Sequence, residues 1–328
     1  MAQGAEQIVA EIKSLQKKHD ALILAHFYED GAIQDVADHV GDSLALAQWG
    51  QRATNRTVLL AGVVFMAESV KLLSPEKTVL VPDLRAGCSL VDHSPYDKYL
   101  NWRLSHPDGI AVTYVNSSAK VKAITDVCVT SSNAEKVLGA IPSDRKILFG
   151  PDKNLGRYLS KKLNRKMELW PGSCEVHVLF SNRKLHQLRL EHPSARVIAH
   201  PECDEGILEQ ADVVGSTSRL LEEVRTNKST KTFIVATEHG IFHEMQRARP
   251  DAELIQAPAE GSCACNECTY MKLNTLTKIR DALSTLEPAV SVETKVAERA
   301  RVGLERMMAI TEGRTVQWPE TFLDPRLT

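Results

Sequence analysis

Short runs rich in valine, isoleucine and leucine alternate along the chain with longer stretches in which apolar residues recur every three or four positions. The first series reads ALILAHF, DSLALAQWGQRA, TVLLAGVVF, MAESVKLLS and TVLVP. Apolar strands alternating with amphipathic helices predict βα units on a parallel sheet. The same order returns twice. The second series runs IAVTYVN, DVCVTSS, NAEKVLGAI, KILFGP and KMELWPGSC, and the third ARVIAHPEC, ADVVGSTS, SRLLEEVRT, TFIVATEHG and AELIQAP.

Aligned landmarks fall at His26, Tyr114 and His200, at Ser43, Ser131 and Thr217, and at Pro82, Trp170 and Ala257, with intervals of 86 to 88 residues. That interval is too long for a solenoid repeat and suits a small domain with a four-stranded sheet. The expected fold is α/β: three pseudo-threefold-related αβα domains, each with a small parallel sheet, around a central active site. The expected boundaries are 1–87, 88–173 and 174–268, followed by a C-terminal segment, 269–328, packed on the body. In that segment TLTKIRDALSTL and ETKVAERARVGLERMMAI read as two amphipathic helices.

Composition narrows the function. The 328 residues carry 40 basic and 42 acidic side chains, interleaved, which argues against a nucleic-acid or anionic-membrane surface and for a small-molecule ligand. The longest apolar run, Val58 to Ala67, is about half of the ~20 residues a membrane-spanning helix needs. The first residues space Ile8, Ile12 and Leu15 on one helical face with charges between them, unlike a signal peptide. A cytoplasmic protein is expected, or the mature domain of an organellar, for example plastid, one. With an odd count of seven cysteines, ligand or catalytic roles gain weight over disulfides.

Ligand sites in open parallel sheets lie at the carboxyl ends of the strands. There each series places two polar residues two apart: His26 and Tyr28, Tyr114 and Asn116, His200 and Glu202. Next comes a small hydroxyl at a strand-to-helix junction, Ser43, Ser131 or Thr217. Taken singly, each reads first as a plain N-cap; three together would make anion contacts at helix starts for a substrate with two or three anionic groups. After the last strand each series has a cysteine turn: Cys88, Cys174, and the group Cys263, Cys265, Cys268. Three thiolates without a fourth suit an iron–sulfur cluster that leaves one iron open. Zinc on the same thiols, in a hydrolase or aldolase, is the rival. A redox-switched binding protein using the Cys265 and Cys268 pair is a third reading, which leaves the cysteines of the other two series unexplained. Cys128 reads as a small buried hydrophobe and Cys203 as a flanking thiol. No G-x-G-x-x-G, P-loop or C-x-x-x-C-x-x-C motif is present.

From Leu22 to Leu283 the motifs AHFYED, GDSLALA, GVVFMAESVKLL, TYVNSSAKVKA, TSSNA, FGPDKNLG, HPEC, GSTSRLL and CTYMKLNTL together resemble the quinolinate synthase family of NAD biosynthesis. The resemblance implies a 4Fe-4S cluster held by Cys88, Cys174 and Cys268. Spacing alone points instead to Cys263 as the third ligand. It implies substrate contacts at His26, Ser43, Tyr114, Asn116, Ser131, His200, Glu202 and Thr217, and an acid–base tyrosine at Tyr28, with His26 and Glu202 also able to move protons. The implied reaction condenses iminoaspartate with dihydroxyacetone phosphate, with the cluster as Lewis acid, and carries a functional link to L-aspartate oxidase as the source of iminoaspartate.

Overall fold

A computed structural model of the chain describes residues 2–261 and 266–326. Cys263 and Cys265 lie outside the described residues. Among these residues, twelve strands form three four-stranded sheets, every pairing parallel. The first contains β1 (Ala21–His26), β2 (His39–Gly41), β3 (Thr57–Ala61) and β4 (Thr78–Leu80) in the order 2-1-3-4. The second contains β5 (Ile110–Tyr114), β6 (Val127–Val129), β7 (Ile147–Gly150) and β8 (Glu168–Leu169), and the third β9 (Arg196–Ala199), β10 (Val213–Val214), β11 (Thr232–Ala236) and β12 (Glu253–Gln256). Both repeat the first sheet's order, as 6-5-7-8 and 10-9-11-12. The α/β class and the threefold repetition read from the hydrophobic pattern are therefore present.

The apolar runs are continuous because each central strand is covered on both faces. Leu24, Val58 and Leu60 point from the first sheet into a core shared with Val112, Val127 and Phe149 of the second and Ile198, Phe233 and Val235 of the third. Ile23, Ala25, Leu59 and Ala61 alternate to the opposite face, where they meet Ile12 of the helix Ala2–Lys18 and Ile279 and Leu283 of the helix Leu276–Thr285. The central core thus joins the three inner faces and holds the sheets in mutual register.

The two C-terminal helices form as the pattern predicts, at Leu276–Thr285 and Thr294–Thr311. The longer buries Ala300, Gly303, Leu304 and Met307 against β6 and the helix Val64–Leu73, so it ties the first sheet to the second. Cys128, in β6, is fully buried, as expected of a small hydrophobe. No helix among the described residues is long and apolar enough to cross a membrane.

Candidate functional site

The carboxyl ends of the three first strands open on one cavity of about 160 Å³. β1 ends at His26 and β5 at Tyr114, while His200 directly follows β9. The site residues that the family resemblance implies all line this cavity: His26, Tyr28, Tyr114, Asn116, His200 and Glu202, the hydroxyls Ser43, Ser131 and Thr217, and the thiols Cys88, Cys174 and Cys268. They come from segments up to 242 positions apart, brought together by three copies of one sheet topology.

Local backbone geometry sets the imidazoles. The Tyr28 N–H donates to His26 Nδ1 at 3.2 Å, and the Glu202 N–H donates to His200 Nδ1 at 3.4 Å. In both rings Nδ1 is therefore the acceptor and Nε2 carries the proton, which for His200 points at Ser131 Oγ, 3.3 Å away. Burial lowers the His26 pKa to about 4 and that of His200 to about 3, so both rings are neutral at neutral pH.

Burial works to raise the Glu202 carboxyl. The His200 and His177 imidazoles and hydrogen bonds from His177 and Tyr114 outweigh it and bring the pKa down to about 2. The Glu202 carboxyl is thus held as an anion within reach of two imidazoles and a phenol. Burial holds the Tyr28 and Tyr114 phenols well above their ordinary value.

Sequence reasoning missed two residues that link these groups. His177 places Nδ1 2.9 Å from Glu202 Oε2 and 3.3 Å from Cys174 Sγ, and Nε2 2.9 Å from Thr237 Oγ1. Thr237 Oγ1 in turn lies 2.7 Å from the Tyr28 hydroxyl, which also meets Thr217 Oγ1 at 3.2 Å. A continuous hydrogen-bonded chain therefore runs from Tyr28 through Thr237 and His177 to Glu202. The spacing Cys174-x-x-His177 was the available signal for the histidine. Thr237 had none, because the equivalent positions after β3 and β7 are Gly62 and Pro151. The approach of Tyr28 to this segment needs Gly240, where a Cβ would sit 2.7 Å from the Tyr28 backbone.

The N-cap reading of the three hydroxyls is corrected. The caps are Asp42, whose Oδ1 accepts from the Ala45 N–H at 3.0 Å, and Ser216, whose Oγ accepts from the Arg219 N–H at 3.3 Å. Ser43 and Thr217 are the first residues inside ten-residue helices, so their hydroxyls are released from capping. Ser131 lies three positions before a six-residue helix, Ala134–Gly139, whose N-cap position is Asn133; that helix is too short to act as an anion site. In the second sheet's turn, Lys122 is fully buried and donates to the carbonyls on either side of Asn116, Val115 O at 2.8 Å and Ser117 O at 2.5 Å. Asn116 Oδ1 is itself buried without a partner among the described residues.

None of the described cysteines is in a disulfide. Burial, with Cys268 nearby, pushes the Cys88 thiol up to about 12; burial pushes Cys268 up to about 11 and Cys174 well above its usual range. Thiolates here need a cation, so three thiols from three sheets around one cavity fit a metal–sulfur group. A second donor set overlaps them: ligand atoms of Cys174, His177 and Glu202 all lie within 4.8 Å of one another.

Residues 10–309 match the family described as Quinolinate synthetase A protein (NadA). A quinolinate synthase of Prochlorococcus marinus (strain MIT 9303) is 50% identical over 301 residues, covering 92% of this chain and 90% of its own length. A quinolinate synthase of Microcystis aeruginosa is 45% identical over 306 residues, covering 93% and 96%, and one of Cyanophora paradoxa is 44% identical, covering 93% of each.

Proposed function

The chain belongs to the quinolinate synthetase A family, and from that premise we propose that it condenses iminoaspartate with dihydroxyacetone phosphate to quinolinate, releasing phosphate and water. The observation that carries the reading is the convergence of thiols, imidazoles, carboxyl groups and hydroxyls from all three sheets on a single cavity. Cys88, Cys174 and Cys268 would hold a 4Fe-4S cluster, which would supply Lewis-acid chemistry for a leaving oxygen.

The remaining work falls to side chains of this chain. Tyr28, Thr237, His177 and Glu202 form a path along which a proton passes between the phenol and the carboxylate. Glu202, anionic, is the proton acceptor, and Tyr28, protonated, is the donor at the other end. Neutral His26 and His200 offer their Nε2 protons as donors without adding charge. The carboxylates and phosphate of the substrates are met by the helix starts at Ser43 and Thr217 and by the hydroxyl of Ser131. Asn116 Oδ1, a buried acceptor lacking a partner, suits an imine N–H or a sugar hydroxyl. Iminoaspartate must be supplied by oxidation of an amino acid, which links the chain functionally to L-aspartate oxidase.

The test is product formation. Protein purified without oxygen, given dihydroxyacetone phosphate and iminoaspartate generated in place, should yield quinolinate by mass spectrometry. No product from protein carrying iron and sulfide contradicts the reading.

A second reading has one observation in its favour: Cys174, His177 and Glu202 are a mixed sulfur, nitrogen and oxygen set of the kind zinc takes. Against it, His177 Nδ1 is already within hydrogen-bond reach of both other groups. Iron, sulfide and zinc analysis of anaerobically prepared protein separates the two.

A further inference from the structure

Asp42 joins all three sheets at one carboxylate. Its Oδ1 caps its own helix through the Ala45 N–H, while its Oδ2 accepts from Ser132 Oγ of the second sheet's turn at 2.5 Å and from Ser218 Oγ of the third's at 2.6 Å. The contact follows from a break in the repeat. Ser132 and Ser218 are equivalent positions, one interval apart, and the first series has Leu44 there, which offers no donor. The first series contributes instead the acid two residues earlier. Two equivalent hydroxyls thus meet one acceptor.

Each partner is the immediate neighbour of a cavity hydroxyl: Asp42 of Ser43, Ser132 of Ser131, Ser218 of Thr217. The carboxylate is 7% exposed and lines the cavity, so its charge is held by these three donors and little water. Hydrogen bonds to an ionised acceptor are about twice as strong as neutral ones, and they fix distance as well as energy.

We propose that Asp42 is a positioning residue for the substrate's anionic groups: by gripping Ser132 and Ser218 it sets the spacing of the Ser43, Ser131 and Thr217 hydroxyls that bind them. The inference rests on the reading of the cavity as the site of quinolinate formation. It gives the clasp a role in affinity, whereas a purely structural clasp would act on stability alone.

The test uses the anaerobically reconstituted full chain and quinolinate itself as the probe. Ser132→Ala and Ser218→Ala should each weaken quinolinate binding by calorimetry and raise KM, about tenfold, with kcat within about threefold. Ser132→Thr and Ser218→Thr, which keep the hydroxyl, should bind as the wild type does. Neither alanine change should weaken binding further in an Asp42→Ala background, because the shared acceptor is already gone. If Asp42→Ala does not fold, the two serine pairs decide alone. Alanine variants that melt lower but bind quinolinate normally would overturn the positioning role and leave only a structural clasp. A wild type that neither binds nor makes quinolinate would overturn the reading of the site, and the positioning role with it.

Discussion

Tyr28 and Thr237, 209 positions apart in the chain, join their hydroxyls at 2.7 Å across the boundary between the first and third sheets. Thr237 passes that contact to His177, and His177 to Glu202. The phenol is therefore one end of a path and not an isolated acid.

Tyr28→Phe removes one ionisable oxygen and almost no volume. It should lower kcat for quinolinate formation by ~10²–10⁴-fold, the usual contribution of a general acid–base group, with iron and sulfide content unchanged. Thr237→Val breaks the same path one step further on and should lower kcat in the same direction. Single-turnover product measurements check both; activity within a few-fold of wild type in Tyr28→Phe would remove the phenol from the chemistry.

Ser216 and Thr217 are adjacent but do different work, since Ser216 caps the helix and Thr217 faces the cavity. Ser216→Ala should cost about 1 kcal/mol of stability through loss of the cap. Thr217→Val keeps the shape and the cap, so it should raise KM while the melting temperature stays near that of the wild type. Melting curves and steady-state kinetics on the two variants read the split, and a Thr217→Val protein that melts low with normal KM would reverse the assignment.

Glu29 gives the fold a pH dependence of its own. It is fully buried, with Oε1 accepting from Asn274 Nδ2 at 2.7 Å, and burial raises its pKa from 4.5 to about 8. Between those two values the folded chain holds a proton that the unfolded chain has released. Stability contributed by this group is therefore complete below pH 4.5, falls as pH rises toward 8, and levels off above. Glu29→Gln should flatten that slope, as read by urea unfolding at a series of pH values. Equal slopes in variant and wild type would show that Glu29 does not titrate in this window.

How much of this was legible in the sequence follows from symmetry. The residues that recur in all three series, from His26, Tyr114 and His200 to the cysteine turns, could be found by spacing, and they do gather at one cavity. The central strands were legible because burial on both faces makes them apolar throughout. β2, at His39–Gly41, was not, because three residues with a histidine and a glycine carry no periodicity. His177, Thr237 and the Asp42 clasp were hidden for the opposite reason: each is a departure from the threefold pattern. The hydroxyls near the helix starts were visible, but at Ser43 and Thr217 the cap is the residue before, since a cap and the residue after it are both small and polar in GDSL and GSTS.

The account's central claim is that each of the three units supplies one thiol to a single cluster. Its most direct test is the iron and sulfide content of the single variants Cys88→Ala, Cys174→Ala and Cys268→Ala, each reconstituted anaerobically beside Cys263→Ala and Cys265→Ala. The wild type and the Cys263 and Cys265 variants should carry about four iron and four sulfide per chain, with the absorption of a 4Fe-4S cluster, and should make quinolinate. The Cys88, Cys174 and Cys268 variants should lose both cluster and product. A brown, active Cys268→Ala protein beside a colourless Cys263→Ala protein, or zinc in place of iron in the wild type, would contradict it.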